Sequence, residues 1–434
     1  MALRLVLVQS EHSGSRPRRP VAKDQSTGRP GPSAIRPHRE QTAGGSSGTR
    51  SPYARGACDP DGSMANRPRY RTGDADLDRR IDELLDAAGA GANRDVLFDI
   101  LVSGVRLALD EADRLDLKIA SAALREMRMA YRAFAPYRMA TQVTIFGSAR
   151  TDTSDPLYAQ ARDLARELAH RDWMVVTGAG PGIMAAGLEG AGREQSFGVN
   201  IRLPWEQDPN PFIAGDEKLI SMKYFFTRKL MLMKESHGFV SLPGGFGTLD
   251  EVFELLTLLQ TGKALPAPIV LLEVPGGTYW RSWERFVRDE VLHRRLVSPD
   301  DLDLFTITDD VTTAVDELIG FYRNYHSLRW VKDRLVLRVH AAPTDEEVAD
   351  LAERFGELAV DGRIERTGPL PPEVADDDHV DLPRIVLRFD IFRLGGLGRL
   401  IRALNDLPSA PQGEEPRPPL PAAEPMLEGE PLDG

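Results

Sequence analysis

Three turns in the chain combine glycines with side chains able to hold an anion or move a proton. The first is Gly147-Ser148-Ala149-Arg150. The second is Thr177-Gly178-Ala179-Gly180-Pro181-Gly182-Ile183-Met184. The third is Leu242-Pro243-Gly244-Gly245-Phe246-Gly247-Thr248-Leu249-Asp250-Glu251. Glycines at a strand end let a backbone approach a phosphate, and the free N–H groups of a helix start attract negative charge. The third turn adds a hydroxyl at Thr248 and a carboxylate at Glu251, which a purely structural glycine turn does not need. The ordinary alternative for Glu251 is an acid favoured by the positive end of a helix. Arg228 and Lys229 lie one helix upstream, and the strand after them runs straight into the third turn. An arbitrary Arg-Lys pair would otherwise be a solvated face.

Spacing excludes other chemistries. The glycines of the second turn stand two and two apart, not as G-x-G-x-x-G, and the next strand runs into Asn200 rather than an acid, so no NAD site is expected. The P-loop pattern is absent, as is the Gly147 turn's claim to anything beyond an ordinary strand-to-helix connection when taken alone. No His/Cys/Asp cluster has metal-ligand spacing, so neither metal nor cofactor is expected. His237, the histidine nearest the third turn, reads as a packed or solvated side chain.

Buried strands alternating with amphipathic helices must position these turns. Residues 142–146, 173–177, 197–199, 239–242, 269–272 and 304–308 read as short apolar strands. Residues 157–168, 182–193, 223–235, 248–260, 283–292 and 312–325 read as helices. This is the pattern of an α/β, Rossmann-like, doubly wound parallel sheet, over residues 139–326. In such a sheet, ligands bind at the carboxyl ends of the strands, where all three turns fall. Residues 76–138 read as a helical lead-in that packs on the core or on a second subunit. Residues 333–407 read as a small α+β unit of β-α-β-β-α order, ferredoxin- or ACT-like, in which Thr344 and Glu347 form a capping box.

The two ends differ in composition. Residues 1–75 are rich in Arg, Pro, Gly and Ser and lack an apolar period, so a disordered basic tail is expected, with Met64 an alternative start. Residues 1–72 carry 13 Lys/Arg and 5 Asp/Glu, a net of +8 within a total of −12, which leaves −20 on the remainder. A folded part so acidic is not a general nucleic-acid binder. Residues 408–434 read as a disordered proline-rich acidic tail. A single cysteine, Cys58, and the absence of a long apolar run point to a cytoplasmic protein without disulfide or membrane span.

The segment Phe225-Phe226-Thr227-Arg228-Lys229, followed by the run from Pro243 to Glu251, resembles the LOG ("Lonely Guy") family. Its pattern is an Arg-Lys pair and then P-G-G-x-G-T-x-x-E. The second turn is similar to the family's G-G-G-x-x-G-x-M, with Ala179 replacing a glycine. The resemblance covers about residues 140–325; with its lead-in and C-terminal unit the chain looks like the longer bacterial members.

The resemblance implies a phosphoribohydrolase acting on AMP or cytokinin riboside 5′-monophosphate, releasing free base and ribose 5-phosphate. It implies Glu251 as the catalytic carboxylate and Arg228 as its partner. Gly244, Gly245, Gly247 and Thr248 would hold the 5′-phosphate, and Lys229, Thr257 and Glu206 would line the nucleotide site. Gly147, Ser148, Gly178, Gly180, Gly182 and Met184 complete the expected binding set. A homodimer or larger assembly is implied too. Two rivals stand beside this reading: a lysine decarboxylase using Lys223, Lys229 or Lys234 to hold pyridoxal phosphate, and a non-catalytic nucleotide sensor.

Overall fold

The computed structural model describes residues 70–91, 93–203 and 208–412. The terminal tails, apart from the few residues at their inner edges, and Glu206 lie outside the described residues.

Three helices form the lead-in: α1 (Ala75–Ala87), α2 (Arg94–Leu109) and α3 (Arg114–Phe134). Aspartates cap two of them. Asp74 accepts from the Asp76 N–H at 2.8 Å, and Asp113 accepts from the Leu115 N–H at 2.7 Å. The helices α1 and α2 bury a small cluster of their own, Ile81, Leu85, Phe98 and Val102. The helix α3 packs on the main core, where Phe134 stacks on Phe197 with ring centroids 3.8 Å apart.

The main sheet has seven parallel strands: β1 (Gln142–Phe146), β2 (Met174–Thr177), β3 (Ser196–Ile201), β4 (Leu219–Met222), β5 (Gly238–Ser241), β6 (Ile269–Leu272) and β7 (Thr306–Thr308). Connecting helices are α4 (Pro156–Ala169), α5 (Ile183–Ala191), α6 (Phe225–Lys234), α7 (Phe246–Gln260), α8 (Tyr279–Phe286) and α9 (Val311–Gly320). Alternate residues of the strands feed two cores. Val143, Ile145, Val175 and Val240 face α4, α5 and α9, while Phe146, Val176, Phe197 and Phe239 face α3, α6 and α7. Burial on both faces is why these strands read as unbroken apolar runs.

The strand order is β4-β3-β2-β1-β5-β6-β7. The chain starts in the middle, winds outward to β4, and returns to the other side of β1 as β5. The winding reverses between β1 and β5, and the crevice at their carboxyl ends is where such sheets bind ligands.

The C-terminal unit is α+β, as expected. Its sheet holds β8 (Tyr325–Val331), β9 (Arg334–Val339), β10 (Glu365–Thr367) and β11 (Arg384–Leu387) in the antiparallel order β10-β11-β9-β8. The helices α10 (Asp345–Phe355), α11 (Pro371–Ala375) and α12 (Leu397–Asn405) accompany it, and Thr344 and Glu347 form the expected capping box. Two strands were not anticipated. The strand β4 is a four-residue sheet edge. The strand β8 takes Tyr325 from the expected helix at 312–325, which ends at Gly320. It turns into β9 through Lys332, which adopts φ 59°. A ferredoxin-like unit closes its sheet beside the first strand with one that follows the second helix. Here that edge is filled by β8, which comes before.

Candidate active site

The three glycine turns sit at the ends of β1, β2 and β5, neighbours in the sheet. Backbone hydrogen bonds stitch them together. The Ser148 N–H donates to Pro243 O at 3.3 Å, and the Ile183 N–H donates to Ser148 O at 3.0 Å. Gly182 adopts φ +66°, and a Cβ there would lie 2.3 Å from Ser148 O, so the second turn closes on the first only with glycine. Ile183 packs directly against Gly147, and Met184 against Gly180.

The helix α7 begins at Phe246, and its N-cap Gly245 offers no side-chain cap. Its first turn holds no acid. Gly245, Phe246 and Gly247 are exposed, while Thr248 is buried with its hydroxyl over Gly244. The Tyr279 hydroxyl donates to Gly244 O at 2.7 Å and steadies this turn from α8. The start of α7 is thus a polarised helix end without a side-chain cap, just past the carboxyl end of β5.

Glu251 lies one turn into α7, and Arg228 one turn into α6. Arg228 Nη1 is 3.7 Å from Glu251 Oε1, and both side chains are about nine-tenths buried, at 9% and 12% exposure. Arg228 Nε donates to Val199 O at 2.9 Å, which ties the guanidinium to β3. The guanidinium also lies against Gly178. A Cβ there would be 1.9 Å from Nη2, so glycine is what lets the cation reach Glu251. Burial pushes the Glu251 carboxyl up to about 7, partly offset by Arg228 and Lys229. A carboxylate balanced there can take and return a proton near neutral pH.

The other expected residues are placed as follows. Lys229 binds Asp250 at 2.8 Å and also Glu254, which fastens α6 to α7. Thr257 is exposed, six residues beyond Glu251 on α7, and its hydroxyl donates to Phe253 O at 2.7 Å. His237 is buried, and its Nδ1 accepts from the Gln142 N–H at 3.1 Å, a packed role.

The family described as "Possible lysine decarboxylase" matches residues 182–318, a span holding both Arg228-Lys229 and the turn from Pro243 to Glu251. The chain is 34% identical over 120 residues to the probable cytokinin riboside 5′-monophosphate phosphoribohydrolase LOG6 of Arabidopsis thaliana, covering 27% of this chain and 58% of that one. It is 26% identical over 190 residues to LOG1 of the same plant, covering 43% and 86%. Over this region the chain is similar to LOG-family proteins. A pyrimidine/purine nucleotide 5′-monophosphate nucleosidase of Escherichia coli is 25% identical over 362 residues, covering 77% of each chain.

Within the LOG pattern, Ala179 is the local departure. It adopts φ 56°, the left-handed backbone its glycine counterpart takes freely, and its methyl is buried against Gly198. Asn210 steadies the turn. Its N–H donates to Ala179 O, and its side-chain amide to Gly180 O, both at 3.0 Å. Lys229 suits no Schiff base, because its two carboxylate partners outweigh burial and hold the ammonium charged. Tyr279 and Asn210 escaped the sequence reading because neither lies in a glycine turn. Tyr279 carried one usable signal, its place just past a further strand end.

Proposed function

We propose that the chain hydrolyses the N-glycosidic bond of a nucleoside 5′-monophosphate, AMP or a cytokinin riboside 5′-monophosphate, to free base and ribose 5-phosphate. The observation that carries this is the buried Arg228–Glu251 pair beside the uncapped start of α7. The 5′-phosphate sits on the turn from Gly244 to Thr248, whose amides and Thr248 hydroxyl complement its charge. This remote grip places C1′ of the ribose before Glu251. As the C1′–N bond lengthens, positive charge grows on the ribose and the Glu251 carboxylate stabilises it. Glu251 takes a proton from the attacking water while the new C1′–O bond forms, and the departing base leaves with the bond pair and picks up a proton. Arg228 orients the carboxylate and balances its charge. Lys229 holds α6 against α7.

Phe225, Phe226, Leu230, Phe246 and Phe253 are exposed on α6 and α7 around the site, and a second copy of the chain is the partner we assign to them. The reaction is tested by incubating the protein with AMP, prenylated adenosine monophosphate and other nucleoside monophosphates and measuring released base. Free base with an equal amount of ribose 5-phosphate is expected. Saturable binding with no product would overturn the hydrolase reading and leave a sensor.

A further inference from the structure

Glu126 lies on α3, in the lead-in and outside every motif of the main domain, yet its carboxylate serves α6. Its Oε1 accepts from the Lys223 N–H at 2.8 Å, and its Oε2 accepts from the Thr227 hydroxyl at 2.7 Å, with the Tyr224 N–H at 3.5 Å. The helix α6 has no local cap. Its N-cap is Tyr224, whose side chain makes no capping bond, and its first turn contains no acid. A negative group is favourable at a helix start, and here it arrives from another helix. Thr227 is fully buried, and its hydroxyl lies between Glu126 Oε2 at 2.7 Å and Tyr224 O at 3.0 Å, so Glu126 adds the shorter contact to a bond the backbone also offers.

Arg228 is the next residue. One end of it is fixed by Val199 O, and the guanidinium rests against Gly178. The other end is fixed by where α6 begins. We propose that Glu126 is a positioning residue: it pins the start of α6 and thereby sets the distance between Arg228 and Glu251. The proposal rests on the phosphoribohydrolase reading for its catalytic consequence, but not for its structural one. It makes the lead-in part of the active-site machinery. Without Glu126 the Lys223 N–H that leads into α6 and the Thr227 hydroxyl in its first turn each lose a charge-assisted acceptor, and the start of the helix is free to fray. Misplacing a catalytic group by about 1 Å costs on the order of 10²-fold in rate.

The test compares E126A, E126Q and T227V in the full chain. With AMP, E126A is expected to lower kcat by roughly 10- to 100-fold with little change in KM, because the phosphate turn on α7 is untouched. E126Q keeps one acceptor oxygen and falls between E126A and wild type. T227V removes only the hydroxyl and costs several-fold, and it carries the test if E126A fails to fold. The second readout needs no turnover: the titration of the Glu251 carboxyl by ¹³C NMR, assigned by its loss in E251Q. The charges facing Glu251 are Arg228 and Lys229 from α6, and Asp250 and Glu254 from α7. If Arg228 recedes, the Glu251 midpoint moves upward in E126A and less so in E126Q. A folded E126A with wild-type kcat and midpoint overturns the proposal. If wild type releases no base from any nucleotide, the hydrolase reading fails, and the Glu251 midpoint alone decides the role of Glu126.

Discussion

Two buried glutamates in this molecule sit beside arginines and titrate in opposite directions. In the C-terminal unit, Glu373 is fully buried under Arg338 and Arg384. It accepts from Arg338 Nε and Nη2 at 3.0 and 2.8 Å, from Arg384 Nε at 3.2 Å, and from the Leu370 N–H at 3.0 Å. Burial raises its pKa, but the bonds from Leu370, Arg338 and Arg384 outweigh it and hold the carboxyl below its ordinary value. In the main domain, Glu251 has one guanidinium at 3.7 Å, and burial wins. Desolvation is common to both, and the number of donors decides the outcome. A carboxylate with every lone pair engaged is a structural clamp. One left partly unmet can still exchange a proton.

This contrast can be broken at either end. The largest effect is expected from E251Q, which removes the proposed proton acceptor and should cost roughly 10²–10⁴-fold in base release while AMP binding persists. Near-normal turnover would place the chemistry elsewhere. The mirror experiment is E373A. It leaves Arg384 buried without its counter-ion and Arg338 with Asp378 alone, and should cost about 3–5 kcal/mol in denaturant unfolding. The pH midpoint of the reaction should stay unchanged, and a shift there would show that the two carboxylates are not independent.

The pH dependences should also be opposed. Glu251 has a folded pKa of about 7 against an ordinary 4.5, so folding favours its protonated form. Native stability is then penalised progressively from pH 4.5 to about 7, and fully above. Relative to E251Q, wild type should lose about 3 kcal/mol between those limits in unfolding experiments. For Glu373 the stabilisation is present above pH 4.5 and is lost as pH falls through its lowered value. The kcat/KM of wild type should accordingly rise with pH through a midpoint near 7, where an unperturbed carboxylate would give one near 4.5. The smallest effect is expected from Y279F, which deletes the bond to Gly244 O. About 1 kcal/mol, or roughly fivefold, should appear in KM rather than kcat. A fall confined to kcat would put Tyr279 at the chemistry instead of the phosphate turn.

What the sequence determined by itself was local in origin. Strand and helix alternation, the capping box at Thr344 and the strand-to-helix turn from Pro243 to Glu251 are written within one turn or one strand, because apolar period and helix-end preferences act over three or four residues. The strands β4 and β8 escaped because four residues are too few to show a period and because five of the seven residues of β8 are only half-buried. Tertiary structure alone decided which charges meet. Arg228 reaches Glu251 only because the winding of the sheet reverses beside β1 and Gly178 leaves room for the guanidinium. Glu126 reaches α6 from about a hundred residues away. Glu373 lies under two arginines from separate strands. Burial and donor count set each carboxylate's proton affinity, and both are properties of packing that no local pattern encodes.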